Sequence, residues 1–534
     1  MLSEDKYFRD LNEAKLWQRY CGFLDLSIGE FIDIQEELLM DQIERVADSL
    51  LGKKIMGNQK PESVEEFRRI VPLTTYDDYE PYLSEQREDA LAVKPRLWCH
   101  SSGRGGYFKW IPYGSEFLEK VTRTCIAALV LATAGQKGRV NVSPGVRILV
   151  ILPPAPYTSG SMFQAVAQHL SFQAIPDPEK TQSLDFQERI REGFHMALRD
   201  GVDIIGAIAS VLVRIGEEFS EATQSIRFSW ALLHPRIIYR LSQAWLRSKR
   251  EKRPMLPKDL WPAKAILTGG VDTAIYTEDV AKYWGHSPHE FYAATESFFL
   301  AVQGWNRKCL TFVPDLVFFE FIPYEEQREY KDDNDYQPAT VLLDEVEEEK
   351  LYEVVITQFY GMPLLRYRMG DIIKVTAMED KEAGVKLPQI VFQRRVGENI
   401  NLGGLAELDE KIIWQAIANT GIRFADWSAC KEYKGNQTFI RLYIELKEQR
   451  ETEEIETMID EQLKIVDTDY KDIESYLDLK PVRVTLLQPG TFQRYMEEKR
   501  KEGADLAHLK PAHVNPTERD IQRLLELSRM VTEK

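Results

Sequence analysis

A glycine-rich stretch, CHSSGRGGYFKWIPY at 99–113, combines backbone freedom with polar groups. Its glycines allow the backbone to turn N–H groups inward, and two hydroxyls and an ammonium group add donors for an anion. These residues are Gly103, Gly105, Gly106, Ser101, Ser102 and Lys109. The spacing matches neither GxxxxGK[ST] nor GxGxxG, and glycine-rich turns without a ligand are common. This stretch alone therefore leaves a phosphate loop and a simple turn equally open.

A second group of candidate residues follows strand-like runs later in the chain. One such run ends at Gly269 and Gly270, and FYAATESFF places Tyr292, Thr295 and Glu296 among apolar residues. A ring, a hydroxyl and a carboxylate suit stacking on a base, contact with a phosphate and coordination of Mg²⁺. The alternative is a buried strand that ends in a turn, with Glu296 capping a helix.

The composition limits the possible classes of protein. A chain of 534 residues with 44% hydrophobic and 29% charged residues predicts a globular protein of more than one domain. Its formal charge of -17 disfavours a nucleic-acid partner. Five cysteines without a CxxC pair indicate neither a disulfide framework nor a zinc ribbon. The charged amino terminus and the short apolar runs predict a cytoplasmic protein without a membrane partner.

The elements that must position these residues alternate between helical and strand-like patterns, which predicts an α/β fold. Apolar residues recur at helical spacing from residue 1 to about residue 70, and one helix is expected to stop at Gly52. Strand-like runs between 316 and 376 predict an antiparallel meander, in which Asp371 belongs to a Gly-Asp turn. Helical and strand-like runs beyond about 400 predict a smaller α+β lobe.

The order of these pieces resembles the adenylate-forming superfamily, and most closely its GH3 branch of acyl acid amido synthetases. The resemblance runs along nearly the whole chain, through VPLTTYDDYEPYL, the serine-glycine loop, YAATES, FFEFIP, YEVVITQFYGMPLLRYRMGD, FQRR and PGTFQRYMEEKRKEGADLAHLKP. It implies a luciferase-like two-domain fold. A large domain at 1–405 would have β-sheets flanked by helices and a β-barrel-like portion, and a small, mobile α+β domain at 406–534 would carry Lys510.

The resemblance also implies a role for each matching residue. Ser101, Ser102 and Gly103 would hold the β- and γ-phosphates of ATP, and Thr295 would meet the α-phosphate. Gly269 and Gly270 would lie along the adenine, and Tyr292 would stack on it. Three catalytic residues are implied: Glu296 as the Mg²⁺ ligand, Arg395 near the ribose and phosphate, and Lys510 at the attacking carboxylate. Asp371 would accept the ribose hydroxyls, and the remaining nucleotide contacts would be Arg104, Lys109 and Ala294.

The implied reaction is ATP- and Mg²⁺-dependent. A carboxylic acid would form an acyl-adenylate with release of pyrophosphate, and an amino acid or other amine would then take the acyl group and release AMP. A thiol acceptor, as in acyl-CoA ligases, is one alternative. Another is a protein that binds a nucleotide or acyl group and has lost catalysis.

The last alternative rests on two departures from the family pattern, while Glu296, Asp371, Arg395 and Lys510 all match it. Arg104 and Gly105 stand where the family usually has two hydroxyl residues, and Arg104 is either a substitute phosphate contact or a surface turn residue. Ala406 stands where the family has a lysine, with Lys411 the nearest substitute.

The acyl pocket is expected from two apolar segments, 151–170 and 201–216. Their apolar residues indicate an aromatic or aliphatic acid, although an ordinary core would have the same pattern. We assign no ligand- or metal-binding role to three histidines, His169, His286 and His289.

Overall fold

The computed structural model describes residues 2–100, 109–152, 155–177, 184, 186–222, 234–269, 273–324, 337–395, 400–402, 406–408, 410–434, 437–477, 481–501 and 511–532. These residues form two compact units, one ending at 395 and one beginning at 400. The domain boundary predicted between 405 and 406 stays a prediction. No helix among the described ranges is long and apolar enough to cross a bilayer.

The first unit opens with helices, as the sequence predicts. Side-chain oxygens of Asn12, Ser27, Ser49 and Ser63 cap four of them by accepting backbone N–H groups of the first turn. The helices are α1 Ser3–Asp10, α2 Glu13–Cys21, α3 Ile28–Val46, α4 Leu50–Ile55 and α5 Val64–Ile70.

The helix stop predicted at Gly52 is wrong. Helix α3 already ends at Val46, and Gly52 lies inside α4. A Cβ at Gly52 would come within 1.9 Å of the Val46 carbonyl oxygen, so glycine permits close backbone packing there. The residue serves a contact between helices rather than a helix end.

An eleven-stranded mixed sheet dominates the first unit, in the order β10-β11-β12-β13-β9-β8-β7-β6-β5-β3-β4. Its parallel part is β3 Val146–Ile151, β4 Phe172–Ile175, β5 Ile204–Ala207, β6 Ala265–Gly269 and β7 His289–Tyr292. The helices between and around these strands are α6 Ser115–Thr133, α7 Thr158–Ala167, α8 Phe186–Asp200, α9 Ala209–Ala222, α10 Pro235–Glu251, α11 Pro257–Leu260 and α12 Thr273–Trp284. A separate hairpin pairs β1 Leu97–His100 with β2 Trp110–Tyr113. The alternation confirms the predicted α/β class.

Antiparallel strands extend the same sheet on the other side of β7. They are β8 Ala301–Gln303, β9 Leu310–Phe312, β10 Val317–Pro323, β11 Leu351–Gln358, β12 Tyr367–Ala377 and β13 Gln389–Arg395. Strands β10, β11 and β12 are consecutive antiparallel neighbours, which confirms the predicted meander. What the resemblance describes as a barrel-like portion corresponds here to the antiparallel end of one sheet.

The second unit is α+β, as predicted. A hairpin of β14 Ile400–Leu402 and β15 Ala406–Leu408 is followed by a three-stranded sheet in the order β16-β17-β18. The sheet strands are β16 Phe424–Lys434, β17 Gln437–Leu446 and β18 Val482–Leu487. The helices are α13 Glu410–Asn419, α14 Thr452–Val466, α15 Thr468–Leu477, α16 Thr491–Lys501 and α17 Glu518–Thr532. A core that includes Tyr443, Phe492 and Leu524 joins β17, α16 and α17.

Candidate active site

Five predicted site residues lie at or just after the carboxyl ends of two parallel neighbours, β6 and β7. Gly269 is the last residue of β6, Tyr292 is the last residue of β7, and Ala294, Thr295 and Glu296 follow directly. Ligands of open α/β sheets bind at the carboxyl ends of parallel strands. The position of this segment is therefore suited to a ligand.

Other predicted site residues lie outside the described residues: Ser101, Ser102, Gly103, Arg104, Gly270 and Lys510. For Arg395 the structure describes the backbone only. It is the last residue of β13 and pairs in register with Asp371 of β12.

Tyr292 and Asp371 are joined by a hydrogen bond, although 79 positions separate them. The Tyr292 hydroxyl donates to Oδ2 of Asp371 at 2.6 Å, and Asp371 is only 3% exposed. The Tyr292 ring packs edge-on against Phe392, with 5.7 Å between ring centroids. The bond fixes a carboxylate acceptor of β12 beside the end of β7.

Asp371 does not belong to a turn, which corrects the sequence interpretation. Gly370 and Asp371 lie within β12, where the register with β11 shifts between Val355 and Glu353 and leaves extra residues on β12. Gly370 has a φ of +68°, a conformation that glycine adopts readily. The irregularity is a β-bulge, a feature that reorients a side chain at the edge of a site.

Glu296 and Lys109 are linked through Tyr367, the first residue of β12. The Tyr367 hydroxyl donates to Oε1 of Glu296 at 3.3 Å, and Nζ of Lys109 lies 3.1 Å from the same hydroxyl oxygen. The Glu296 side chain is buried, and its backbone carbonyl accepts a bond from the Gln358 amide. A buried carboxylate and a cation thus lie on either side of one tyrosine hydroxyl.

Thr295 is held through both its side chain and its backbone. The Thr158 hydroxyl, at the start of α7, donates to Oγ1 of Thr295 at 2.9 Å. The Tyr113 hydroxyl of β2 donates to the Thr295 carbonyl oxygen. These bonds connect the segment after β7 to β2 and α7.

The arginines of RYRMGD belong to the scaffold. Arg366 makes a paired contact with Glu320, with Nε and Nη2 each 2.9 Å from a carboxylate oxygen. Arg368 binds Glu353 in the same way, at 3.0 and 2.7 Å. Both glutamates are 1% exposed, so the glutamate of FEFIP neutralises an arginine inside the protein.

An apolar cavity of about 50 Å³ lies in the first unit beside Gly269. Both segments expected to form the acyl pocket contribute to its lining. Leu152, Met162 and Phe163 come from one segment, and Ile204, Gly206 and Ala207 come from the other. Cys125 of α6 also lines it, and burial raises the pKa of this thiol to about 12. The cavity is thus a space for an apolar group next to a predicted adenine contact.

Sequence reasoning missed several residues that the site contains. Tyr113, Thr158, Gln358 and Tyr367 all bond to Thr295 or Glu296. Tyr367 lies in the RYRMGD motif, four residues before Asp371, so the motif itself was a signal. Tyr113 and Gln358 also lie in quoted motifs, CHSSGRGGYFKWIPY and YEVVITQFYGMPLLRYRMGD. Thr158 lies in none of these motifs, and its partner is 137 positions away.

Ala406, where the resemblance expects a lysine, is buried in β15 of the second unit. It pairs with Leu402 across the hairpin. The side chain of Lys411 is not among those described.

The donor set at Glu296 is compatible with Mg²⁺. Magnesium sites at phosphate-transfer centres commonly use one or two carboxylates, with substrate phosphates and water completing the octahedron. Glu296 supplies one carboxylate and Thr295 one hydroxyl nearby in sequence. In the described part of the chain, no group of three or more His, Cys, Asp and Glu residues forms a protein-only metal site.

Comparison with known proteins identifies three consecutive family matches. Residues 23–227 match the GH3 family N-terminal domain, residues 310–395 its central domain, and residues 410–518 its C-terminal domain. Together these matches cover most of the chain.

Curated relatives are distant in sequence. The 4-substituted benzoates-glutamate ligase GH3.12 of Arabidopsis thaliana is 24% identical, over 90% of this chain and 95% of that protein. The jasmonoyl-L-amino acid synthetase GH3.5 of Oryza sativa subsp. japonica is 25% identical, over 51% of this chain and 49% of that protein. The chain thus spans nearly all of the first relative and about half the length of the second in these matches.

Two solved structures share the fold. The AtGH3.15 acyl acid amido synthetase in complex with 2,4-DB has a TM-score of 0.54 at 20% identity, over 96% of both chains. A 2-hydroxyisobutyryl-CoA ligase in complex with 2-HIB-AMP and CoA has a TM-score of 0.51 at 13% identity. That match covers 91% of this chain and 86% of the other.

Proposed function

We propose that this chain, which belongs to the GH3 family, is an ATP-dependent acyl acid amido synthetase that joins a carboxylic acid to an amino acid or another amine. The observation that carries the proposal is the position of its polar cluster. Tyr292, Thr295 and Glu296 lie at the carboxyl ends of parallel strands, and Asp371 is bonded to the first of them. An apolar cavity adjoins the neighbouring strand end at Gly269. A nucleotide site and an acyl site therefore have candidate residues side by side within one unit.

Asp371 and Tyr292 would hold the nucleoside. A carboxylate accepts hydrogen bonds from vicinal ribose hydroxyls, and the bond from Tyr292 keeps this one oriented before ATP arrives. Gly269 leaves room along the strand end, because a Cβ there would approach the Phe291 ring to 2.6 Å. The surface proposed to lie along the adenine is thus the backbone of Gly269, next to the Phe291 ring.

Glu296 would hold Mg²⁺, which supplies charge stabilisation to the phosphates during attack on the α-phosphorus. Tyr367 orients the Glu296 carboxylate by donating to one of its oxygens. Lys109 lies on the far side of that hydroxyl, so its positive charge stabilises the same anionic region. Ser101, Ser102, Gly103, Arg104, Gly270, Arg395 and Lys510 complete the proposed nucleotide site on the strength of the family resemblance.

The reaction divides into two balanced steps. A carboxylate oxygen of the acid bonds to the α-phosphorus of ATP as the bond to pyrophosphate breaks, giving an acyl-adenylate. The amine nitrogen then bonds to the acyl carbon, loses a proton and displaces AMP. The second step needs no nucleophile from the protein. The apolar cavity favours an aromatic or aliphatic acyl group, in keeping with the benzoates and jasmonate named for its relatives.

Pyrophosphate release tests the proposal. The purified protein with ATP and Mg²⁺ is given benzoate, phenylacetate, indole-3-acetate, hexanoate or acetate in turn, with amino acids as acceptors. We expect release that depends on one class of acid, an amide product, and loss of release in Lys510→Ala. Lys471→Ala, at an exposed lysine of α15, is the matched control and retains activity.

The alternative activities predict different products. A thioester formed with CoA in place of an amide would identify an acyl-CoA ligase. ATP binding without acid-dependent release would identify a protein that has lost catalysis, as the changes at Arg104 and Ala406 suggest.

A further inference from the structure

The chain just after Lys510 is fixed to the second unit. Residues 511–515 lie along β16, an edge strand of the three-stranded sheet. The Ala429 N–H donates to the His513 carbonyl at 2.6 Å, and the Asn515 N–H donates to the Ala429 carbonyl at 2.8 Å. The Ser428 hydroxyl donates to the Ala512 carbonyl at 3.0 Å. Three bonds to two residues of β16 therefore hold this short segment.

His513 adds a side-chain bridge to that attachment. Its Nδ1 lies 2.5 Å from Oε1 of Glu410, and its Nε2 lies 2.8 Å from Oδ1 of Asp426. The ring stacks on Trp427, with centroids 4.7 Å apart and planes 11° apart. One imidazole thus connects the first residue of α13 to β16.

Both ring nitrogens face acceptors, so the full bridge requires a proton on each of them. The hydrogen bonds that His513 donates to Asp426 and, to a lesser extent, to Glu410 raise its pKa above the usual value, against the effect of burial. The two carboxylates thus favour the imidazolium form. A neutral ring would leave one carboxylate facing a nitrogen lone pair.

We propose that His513 is a positioning residue for Lys510: by bridging Glu410 and Asp426, it anchors the segment that directly follows this lysine and so places the lysine for adenylation. The inference rests on the proposed function, in which Lys510 reaches the attacking carboxylate. His513 itself touches no substrate in this role.

The sequence between the two residues makes the anchor effective. Only Pro511 and Ala512 separate Lys510 from His513, and the φ of a proline is fixed near −65°. The anchored segment therefore begins two residues after Lys510 in the sequence. A misplacement of about 1 Å at a reacting group can cost about 100-fold in rate.

The bridge also predicts a pH dependence. Among the described residues, the charged groups that face His513 are Glu410 from α13 and Asp426 from β16, and Trp427 contributes its ring face. Because the pKa of His513 is raised in the folded protein, the stability that the bridge contributes is fully present below the ordinary histidine pKa of about 6.5. It is lost as pH rises through the raised pKa of the folded protein.

The test separates the two half-reactions. Adenylation is followed as acid-dependent pyrophosphate release, and acyl transfer as amide formation from a synthetic acyl-adenylate and an amino acid. The acid used is the one in the panel that gives the fastest release. We expect His513→Gln to lower the adenylation rate by about 10- to 100-fold and to change transfer by less than about twofold, since Lys510 serves only the first step. His234→Gln, at an exposed histidine of the first unit, leaves both rates unchanged.

A double-mutant cycle distinguishes positioning from general structural support. In a Lys510→Ala background, His513→Gln should have no further effect on adenylation, because the group that it positions is already absent. The ratio of wild-type to His513→Gln adenylation rates should also shrink as pH rises. Equal losses in both half-reactions, additive losses in the cycle or an unchanged adenylation rate would each overturn the inference.

Two further results keep the outcome interpretable. If His513→Gln does not fold, Glu410→Gln removes one half of the bridge at a more exposed carboxylate and is expected to show the same selective loss. If the wild-type protein releases no pyrophosphate with any acid, the proposed function fails. A normal wild type with an unaffected His513→Gln variant contradicts only the inference.

Discussion

Two sets of buried carboxylates meet the same short stretch, RYRMGD, and they are held in different ways. Glu320 and Glu353 each accept two bonds from an arginine guanidinium. Glu296 accepts a bond from the neutral hydroxyl of Tyr367, which lies between those arginines in sequence. A guanidinium neutralises its partner, whereas a hydroxyl orients a carboxylate without removing its charge. The first arrangement suits a scaffold, and the second suits a carboxylate that binds a cation.

Alternation along an extended chain explains how one motif serves both purposes. Successive side chains of a strand point to opposite faces, so Tyr367 is directed away from Arg368, the next residue of β12. Arg366 precedes the strand and has a φ of +45°. The bulge at Gly370 then allows Asp371 to meet Tyr292. Within β12, Arg368 thus belongs to the scaffold pairs, while Tyr367 contacts Glu296 in the candidate site.

Breaking a scaffold pair should have the largest effect on folding. Arg366→Met leaves Glu320 buried with Arg68 as its nearest remaining cation, 3.4 Å away. We expect the free energy of unfolding in a urea titration to fall by about 3–5 kcal/mol. The double variant Arg366→Met, Glu320→Leu should recover part of this loss, because the Glu320 carboxylate is no longer left buried without Arg366.

The matched control is Arg69→Met, which breaks an exposed pair with Glu66 on the same helix as Arg68. Exposed pairs contribute little, so its urea midpoint should stay near that of the wild type. A comparable loss in both variants would contradict the scaffold role of Arg366.

Glu296→Gln should separate activity from stability. The amide keeps the size of the side chain and removes the charge proposed to hold Mg²⁺. We expect acid-dependent pyrophosphate release to fall by about 100- to 1,000-fold, while the urea midpoint is maintained. Glu278→Gln, on the exposed side of α12, should leave release intact. If Glu296→Gln loses stability and keeps activity, its carboxylate belongs with the scaffold pairs.

The sequence predicts the fold class, the helical opening and the meander, because each depends on periodicity within a short window. Motif order also predicts Tyr292, Thr295, Glu296 and Asp371 as site residues, and their roles stay predictions. It does not predict that Tyr292 bonds to Asp371, since the bond depends on the register of several strands between them. Local rules failed at Gly52 and Gly370 for a related reason. At Gly52 the glycine is required by a close contact with the Val46 carbonyl, and at Gly370 it is favoured by a β-bulge. Neither feature can be predicted from the residues next to these glycines.

His289 shows that burial of a basic group lowers its pKa. It lies on β7, fully buried, and desolvation together with the charge of Arg307 lowers its pKa to about 3. The unfolded chain binds a proton near pH 6.5 and the folded chain does not, so stability falls as pH drops below about 6.5 towards 3. Between pH 7 and pH 5 we expect a loss of roughly 2 kcal/mol by urea titration, absent in His289→Leu. An equal pH dependence in the variant would assign the effect to other groups.

Tyr292→Phe should give the smallest effect and the most specific one. The change removes one hydroxyl and its bond to Asp371 but keeps the ring against Phe392. Asp371 then keeps its charge and loses an orienting donor. A hydrogen bond to a charged group contributes about 1.5–3 kcal/mol of free energy, and its loss costs less where water replaces the donor. We expect the KM for ATP to rise by about 5- to 20-fold with little change in the KM for the acid, because the proposed acyl cavity does not include the Tyr292 hydroxyl. Tyr239→Phe, at an exposed tyrosine of α10, should change neither constant. A selective rise in the KM for the acid would instead place Tyr292 at the acyl group, and the ribose role of Asp371 would have to be reassigned.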